Sequence, residues 1–425
     1  MAVIFADKEG MPGEARYAHL LPSNPDNRLW EISDAVLAVH METPFLELVD
    51  ALGSEFARTR VLHDARGEMV DRAILIGTGS NGERHHEDAM GEMKALVKAC
   101  DIEVVGVTEQ RRRRPDPHFT IGKGRLKKLL IHAMQDGVGM LIFDSELTPS
   151  QLRSITDFTD LKILDRTNII LDIFARRAVT RESKIQVELA QLRYLIPRLA
   201  TKNTAMSRLT GGIGARGPGE TKLEINRRRA YDRIARLERE LKRLTHGRTL
   251  RRRKRTRRNV PIISIVGYTN AGKSTLLNAL TKSEVPVGDM PFMTLDSASR
   301  RLRFPREREV IVTDTVGFIT ELPKGLLKAF ASTLEELKDA DLLLHVADGN
   351  DPEFEAYIEV VDQIIGRLGL QDTRRIVVLN KSDLVDPDLL ETLSGRYKAS
   401  AISALTGAGF DELLARVERE LWGQR

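Results

Sequence analysis

The sequence predicts an α/β protein: an N-terminal small parallel α/β sheet domain, an antiparallel helical hairpin, and a C-terminal doubly wound α/β domain. Apolar runs alternate with helical stretches from residue 72 onward, that rhythm then gives way to paired heptad seams, and a second alternation starts at residue 262. A chain of 425 residues has room for several cores, since a domain usually holds about 100 to 200 residues.

Residues 1–71 form a variable N-terminal arm with no strong period. Pro12, Pro22, Pro25 and Pro44 interrupt it, so irregular chain with two short helices is expected. In the N-terminal α/β domain, 72–178, apolar runs at 73–76, 102–107, 138–143 and 161–164 read as strands. Helices are expected near 84–100 and 124–135, and another opens at Thr148, Pro149 and Ser150. Such alternation covers both faces of a parallel sheet.

The period changes over 179–258. Ile185, Leu189, Leu192, Ile196 and Leu199 recur at steps of 4, 3, 4 and 3, and so do Ala230, Ile234, Leu237, Leu241 and Leu244. Both seams are short, and the segment between them holds Gly211, Gly212, Gly214, Gly217 and Gly219. An antiparallel hairpin with a glycine-rich tip follows. Its second arm runs into a basic linker, Arg251, Arg252, Arg253, Lys254, Arg255, Thr256, Arg257 and Arg258. The last domain, 259–425, begins beside Val260 and Pro261. There the apolar runs 262–266, 310–313, 342–347 and 376–379 each lead through a turn into a helical stretch, as in a doubly wound sheet.

Hydrophobic residues make up 41% and charged residues 30%, the balance of a globular chain rather than a disordered one. Lys and Arg total 66 against 61 Asp and Glu, so the net charge of +5 matters only through its clustering. Cys100 is the sole cysteine, which excludes an intramolecular disulfide and a thiolate zinc cage and fits a reducing compartment. No apolar stretch nears the roughly 18 residues that span a bilayer, and residues 1–10 lack the order of a signal peptide. A cytoplasmic monomer without membrane insertion is expected.

Gly267, Tyr268, Thr269, Asn270, Ala271, Gly272, Lys273 and Ser274 spell G-x-x-x-x-G-K-[ST] between a strand and a helix, the context of a phosphate-binding P-loop. Glycines let the backbone wrap phosphate oxygens, while loop N–H groups and the helix start face the anion. Lys273 is placed to neutralise the β and γ phosphates and Ser274 to offer a hydroxyl to Mg2+, with Thr275 next in the same set. A chance glycine turn is the bland alternative, and the flanking strand and helix oppose it.

Asp314, Thr315, Val316 and Gly317 give D-x-x-G, where the carboxylate can hold Mg2+ through water and the glycine N–H can meet a γ phosphate. Asn380, Lys381, Ser382 and Asp383 give N-K-x-D. Asp383 can accept from N1–H and the exocyclic amine of guanine, a donor pair that adenine lacks. Ser403 and Ala404, ahead of Gly407, fit a loop that closes over the base.

With these motifs, residues 260–425 resemble a translation-factor-class P-loop GTPase domain. A narrower resemblance covers most of the chain from about residue 73. Gln110 with Arg111, Arg112, Arg113, Arg114, Pro115, Asp116 and Pro117 carries it, as do Ile121 to Gly124, Asp165 with Arg166 and Thr167, the stretch 171–178, and the glycine loop 211–220. These segments resemble the HflX family. The resemblance implies a Mg2+-dependent GTPase, converting GTP to GDP and phosphate, that works on the large (50S) ribosomal subunit and its rRNA. Some members split stalled or idle ribosomes under stress.

The resemblance also places the switch I threonine in a T-L-D segment, here Thr294, Leu295 and Asp296, making Thr294 a second Mg2+ ligand. Ser297 follows where the family commonly has proline. Lys273, Thr294 and Gly317 form the expected catalytic set. Phe318 stands where many GTPases carry a water-orienting glutamine, and a phenyl ring cannot accept that hydrogen bond. Slow intrinsic hydrolysis, accelerated by the ribosome, is the expectation; simple packing of Phe318 under switch II is compatible with it.

Arg208, Arg216 and Lys222 lie in or beside the glycine tip, where small residues allow close approach to a nucleic acid and cations can replace counterions. A flexible connection is the bland reading, whereas the resemblance implies a loop that probes the peptidyl-transferase region of rRNA. Arg251, Arg252, Arg253, Lys254 and Arg255 are further phosphate-contact candidates, read otherwise as a solvated linker. Arg111 to Arg114 share those alternatives. Few aromatics are interleaved, which favours phosphate and shape recognition over base stacking.

A rival reading rests on Gly77, Gly79 and Gly82, a G-x-G-x-x-G after a strand and before a helix, with Asp101 and Glu103 about 20 residues further on. It would make the chain a nucleotide-dependent metabolic enzyme with a regulatory GTPase module. Asp101 falls at the start of the second strand rather than at its ribose-binding end, which favours a tight turn. The resemblance adds ATP as a candidate ligand of this region. The glycines from Gly212 to Gly217 repeat the pattern after a helix and are set aside, and the adjacent His85 and His86 point apart on a helix and read as solvated.

Overall fold

The computed structural model describes residues 2–22, 29–41, 44–64, 71–79, 83–110, 115–199, 222–256, 260–281, 291–292, 299–304, 308–315, 317–318 and 335–423. Contacts divide the chain into two compact units, Met1–Ile169 and Ile170–Arg425. No helix among the described residues is long and apolar enough to cross a membrane.

The first unit opens with strands β1 (Ala2–Ala6), β2 (Pro12–Leu20), β3 (Trp30–Ile32) and β4 (Val36–Leu37), the other three all antiparallel to β2. Helix α1 (Phe45–Asp64) follows, 20 residues long. This departs from the expected irregular arm with short helices. Pro12 opens β2 and Pro22 lies beyond its end, so the prolines bracket the strand without removing a donor from its middle. Ala15 alone in β2 is fully buried, which leaves little alternation to read.

A parallel sheet then runs in the order β6-β5-β7-β8, from β5 (Asp71–Gly77), β6 (Ile102–Glu109), β7 (Met140–Phe143) and β8 (Lys162–Asp165). Helices α2 (Glu83–Lys98), α3 (Lys123–Gln135) and α4 (Pro149–Thr156) connect the strands. The central strands β5 and β7 are buried almost continuously, as strands covered on both faces should be. Thr148 caps α4 through a reciprocal pair with Gln151, and Pro149 takes the first turn.

Helix α5 (Arg166–Arg177) contains the division between the units. In the second unit, α6 (Arg181–Leu199) pairs with α7 (Lys222–Thr256). Ile185, Leu189 and Leu237 are buried in their seam, with Leu192, Ile234, Leu241 and Leu244 packed on them. The ion pairs Arg181–Glu240 and Arg233–Glu188 fall on α7 as they rise on α6, the antiparallel sense, while Arg193–Glu238 crosses the seam diagonally. The backbone of α7 stays helical through Thr256, so most of the basic stretch prolongs the hairpin arm.

The second unit's sheet has the order β10-β11-β9-β12-β13-β14. Its strands are β9 (Ile262–Gly267), β10 (Ser299–Arg303), β11 (Glu309–Asp314), β12 (Leu342–Asp348), β13 (Arg375–Asn380) and β14 (Ser400–Ala401). Only the edge strand β10 is antiparallel to its neighbour. Helices α8 (Lys273–Thr281), α9 (Phe354–Arg367), α10 (Pro387–Tyr397) and α11 (Phe410–Trp422) complete the doubly wound fold that the sequence predicts. Apolar residues of β9, β11 and β12, including Ile265, Val312 and Leu344, join Leu276 of α8 and Leu413 of α11 in one core. The loops after β9, β11 and β13 leave the same sheet edge, where open α/β sheets bind ligands.

Candidate functional site

Strand β9 ends at Gly267, and a Cβ there would lie 2.1 Å from the Val346 carbonyl oxygen on β12. A side chain is excluded because the neighbouring strand passes too close. At the far end of the loop, Gly272 has φ +85°, and a Cβ would sit 2.2 Å from Asn380 Nδ2. Between them Asn270 also takes a left-handed conformation, φ 62°. Helix α8 starts at Lys273, so the N–H groups of its first turn, which have no partner inside the helix, open towards the loop.

Lys273 is buried, and its Nζ donates to the Tyr268 carbonyl at 2.6 Å. Burial draws its pKa from 10.5 down to about 8, against the opposing pull of Asp314. An ammonium held this dry favours an anionic partner. Ser274 Oγ donates to Asp314 Oδ2 at 2.7 Å, which brings together a hydroxyl and a carboxylate from separate motifs. Both are hard oxygen donors and fit Mg2+, which keeps several waters when bound with a nucleotide. Asp314 is fully buried and its other oxygen accepts from Thr315 N at 2.9 Å, while Thr315 Oγ1 donates to the Ile265 carbonyl at 2.7 Å. Thr275 is half-buried in the first turn of α8.

Gly317 lies against the phosphate loop: a Cβ would stand 2.9 Å from Thr269 Cγ2 and 3.1 Å from Lys273 Nζ. Phe318 N donates to the Gly267 carbonyl at 3.1 Å and its carbonyl accepts from Thr269 N at 2.8 Å. Its ring is buried with Val266, Leu337, Leu343 and Val361, so the side chain serves the core while the main chain braces the loop. Val316 and Thr294 lie outside the described residues.

On the other side of the loop, Asn380 is buried and spans two motifs. Its Nδ2 donates to the Ala271 carbonyl at 2.9 Å, and its Oδ1 accepts from Ala404 N at 2.9 Å. Lys381 takes φ 62° and its Nζ meets Asp348 Oδ2 at 2.5 Å. Asp383 is exposed in a single helical turn, Ser382–Leu384. Ser403 is buried; its carbonyl accepts from Gly407 N at 2.8 Å and its Oγ from Thr406 N at 3.2 Å, which fixes the turn that carries Ala404.

Three further contributors, Tyr357, Asp348 and His345, stand outside the motifs. The ring of Tyr268 stacks on Tyr357 of α9, with centroids 3.9 Å apart and planes 9° from parallel. Asp348, at the end of β12, is the partner of Lys381. His345 of β12 is buried, and desolvation with the charges of Arg375 and Lys273 pushes its pKa down to about 3. Asp362 stands 3.7 Å from its Nδ1, but that carboxylate is already engaged by Arg375.

Among the described residues, the proposed RNA contacts fall towards the two ends of one helix. Lys222 begins α7 and Arg251, Arg252, Arg253, Lys254 and Arg255 lie near its other end, about 43 Å away at 1.5 Å per residue. Arg208 and Arg216 lie outside the described residues. In the first unit, Thr78 N and Oγ1 donate to Asp144 at 3.0 and 2.8 Å, and Gly77 stands in register with Glu109. Asp101 precedes β6, at the opposite end of the strand from that turn.

Known proteins resemble this chain over most of its length. Family models described as GTP-binding GTPase N-terminal, GTP-binding GTPase Middle Region and 50S ribosome-binding GTPase match residues 87–175, 177–255 and 262–381 respectively. A GTPase HflX from Caldanaerobacter subterraneus subsp. tengcongensis is 46% identical over 83% of this chain and 81% of its own length. Its counterpart from Lacrimispora saccharolytica is 43% identical over 84% of this chain and 85% of its own, and that from Escherichia coli 37% identical over 84% and 85%. The chain belongs to the HflX family of GTPases.

Proposed function

We propose that this GTPase binds the large ribosomal subunit in a nucleotide-dependent way and splits or rescues stalled or idle ribosomes under stress. The observation that carries the reading is the convergence of Lys273, Ser274, Asp314 and Gly317 on one loop that Asn380 ties to the base side, within a segment matched by a family described as 50S ribosome-binding. Lys273 neutralises the β and γ phosphates of GTP. Ser274, Asp314 and Thr294 would hold Mg2+. Bound there, Mg2+ supplies charge neutralisation at the phosphate oxygens. The loop from Gly267 to Ser274, with Thr275, wraps the phosphates, and Asp383 reads guanine while Lys381, Ser403 and Ala404 enclose it.

Water attacks the γ phosphorus, the bond to the β–γ bridging oxygen breaks, and GDP and phosphate leave. Phe318 offers no acceptor for that water, so the intrinsic rate is low and the ribosome supplies the missing order. Loss of the γ phosphate releases Gly317 and Thr294. Only a difference in ribosome affinity between the GTP and GDP forms can drive a cycle of binding and release. Arg208, Arg216 and Lys222 at the hairpin tip meet rRNA phosphates, with the basic end of α7 as a second contact.

Sucrose-gradient sedimentation tests this reading. The chain should travel with 50S particles when bound to a non-hydrolysable GTP analogue and stay at the top of the gradient with GDP. Equal distribution in the two nucleotide states would refute it.

A further inference from the structure

The second unit holds a groove of about 810 Å3 between the N-terminal part of α9, the loop that leads into it, and α10. It lies beside the nucleotide loops and uses none of the residues assigned to GTP. Its floor is apolar: Phe354 and Leu393 are buried, while Leu384 and Leu389 remain 59% and 50% exposed. Its walls are acidic, carrying Asp351, Glu353, Glu355, Glu359 and Asp386. The single cation in the lining, Arg396, is paired with Glu355 at 2.6 Å.

We infer that this groove docks a basic segment of a partner protein, one that inserts apolar side chains against Leu384 and Leu389 and sets lysines or arginines against the acidic rim. Charge complementarity selects the occupant. The chain as a whole carries +5, yet the groove is a local concentration of carboxylates. A nucleic acid is repelled there, as is an acidic peptide. Two of the carboxylates are held in place by the helix starts: Asp386 accepts from Asp388 N and Leu389 N, and Asp351 accepts from Glu353 N at 3.0 Å. Such fixed groups do not have to be reordered when a cation arrives. The leucines supply affinity and the rim supplies orientation, the usual division between the centre and the edge of an interface.

The site adjoins the loops assigned to the nucleotide without sharing their residues. Gly349 N donates to the Asn380 carbonyl at 2.9 Å, and Tyr357 of α9 stacks on Tyr268 of the phosphate loop. The inference stands independently of ribosome binding, since it names a surface of the GTPase unit alone.

Fluorescence anisotropy with the full chain saturated in GDP tests it, using a labelled amphipathic helix of lysine and leucine and a counterpart of glutamate and leucine. The lysine peptide should bind saturably and lose affinity with salt, and the glutamate peptide should not bind. Leu389→Ser and Glu359→Lys should each weaken the lysine peptide about tenfold, whereas Glu412→Lys on α11 should change it less than about twofold. Calorimetric GDP affinity equal to that of the parent certifies that each variant is folded, and Leu384→Ser replaces Leu389→Ser if the latter fails this check. The inference is overturned if folded groove variants bind the lysine peptide like the parent, if Glu412→Lys weakens it equally, or if the glutamate peptide binds as tightly as the lysine peptide.

Discussion

Replacing Lys273 with methionine removes an ammonium that folding buries and leaves an aliphatic side chain of similar length in its place. Burial draws the pKa of this lysine from 10.5 to about 8. At about 1.36 kcal/mol per pKa unit, keeping it charged below pH 8 costs the nucleotide-free fold about 3 kcal/mol. The variant also loses the bond to the Tyr268 carbonyl, a contribution of about 1.5 to 3 kcal/mol for a charged donor. The net expectation at pH 7 is a variant as stable as the parent or more so, by up to about 1.5 kcal/mol, with its triphosphate site destroyed.

The pH dependence fixes the sign. From about pH 8 to 10.5 the unfolded lysine keeps a proton that the folded one has lost, so the parent gains stability as pH rises through that window. The advantage of Lys273→Met shrinks over the same range. A bound diphosphate restores the charged form, so parent affinity for GDP should fall above pH 8, approaching about tenfold per pH unit. Urea titrations at two pH values measure the stabilities, and calorimetry between about pH 7 and 9 measures the affinity. A methionine variant destabilised by more than about 1 kcal/mol at pH 7, or a parent whose GDP affinity is flat across that range, would refute the argument.

Asn380→Ala should cost about 2 to 5 kcal/mol in urea titrations and weaken GDP in calorimetry, because it strands the Ala271 carbonyl and the Ala404 N–H at once. Gly317→Ala should leave the fold intact yet weaken GTP by about tenfold or more in filter binding, since the new Cβ meets Thr269 and Lys273 Nζ. His345 is held neutral with a pKa of about 3 against 6.5, so the unfolded chain takes up the extra proton between those values and stability falls as pH drops. His345→Leu removes that penalty, and its acid-unfolding midpoint, followed by circular dichroism, should move to lower pH.

What could be read from the sequence was local. The glycines of the phosphate loop, the Thr148 cap and the heptad seams of α6 and α7 each write their geometry into neighbouring residues. Strands β5 and β7 could be read because burial on both faces leaves an unbroken apolar run. The sheet of the N-terminal arm was hidden, since β1 is exposed along its whole length and no alternation marks it. Strand β10, Ser-Arg-Arg-Leu-Arg, looks like a polar loop and is a strand only through its ladder with β11. At the site, the motif residues were legible but their mutual contacts were not. The two bonds of Asn380 and the stacking of Tyr268 on Tyr357 join residues far apart in the chain.

Because the ring of Phe318 is committed to the core, it does not orient the catalytic water, and the proposed function assigns that ordering to the ribosome. Single-turnover GTP hydrolysis with and without purified 50S subunits measures this most directly. Slow turnover by the free chain and acceleration by at least about a hundredfold on the subunit are expected, a threshold set below the roughly 10^3- to 10^5-fold by which activating partners speed other GTPases. The same rate in both conditions would contradict that assignment.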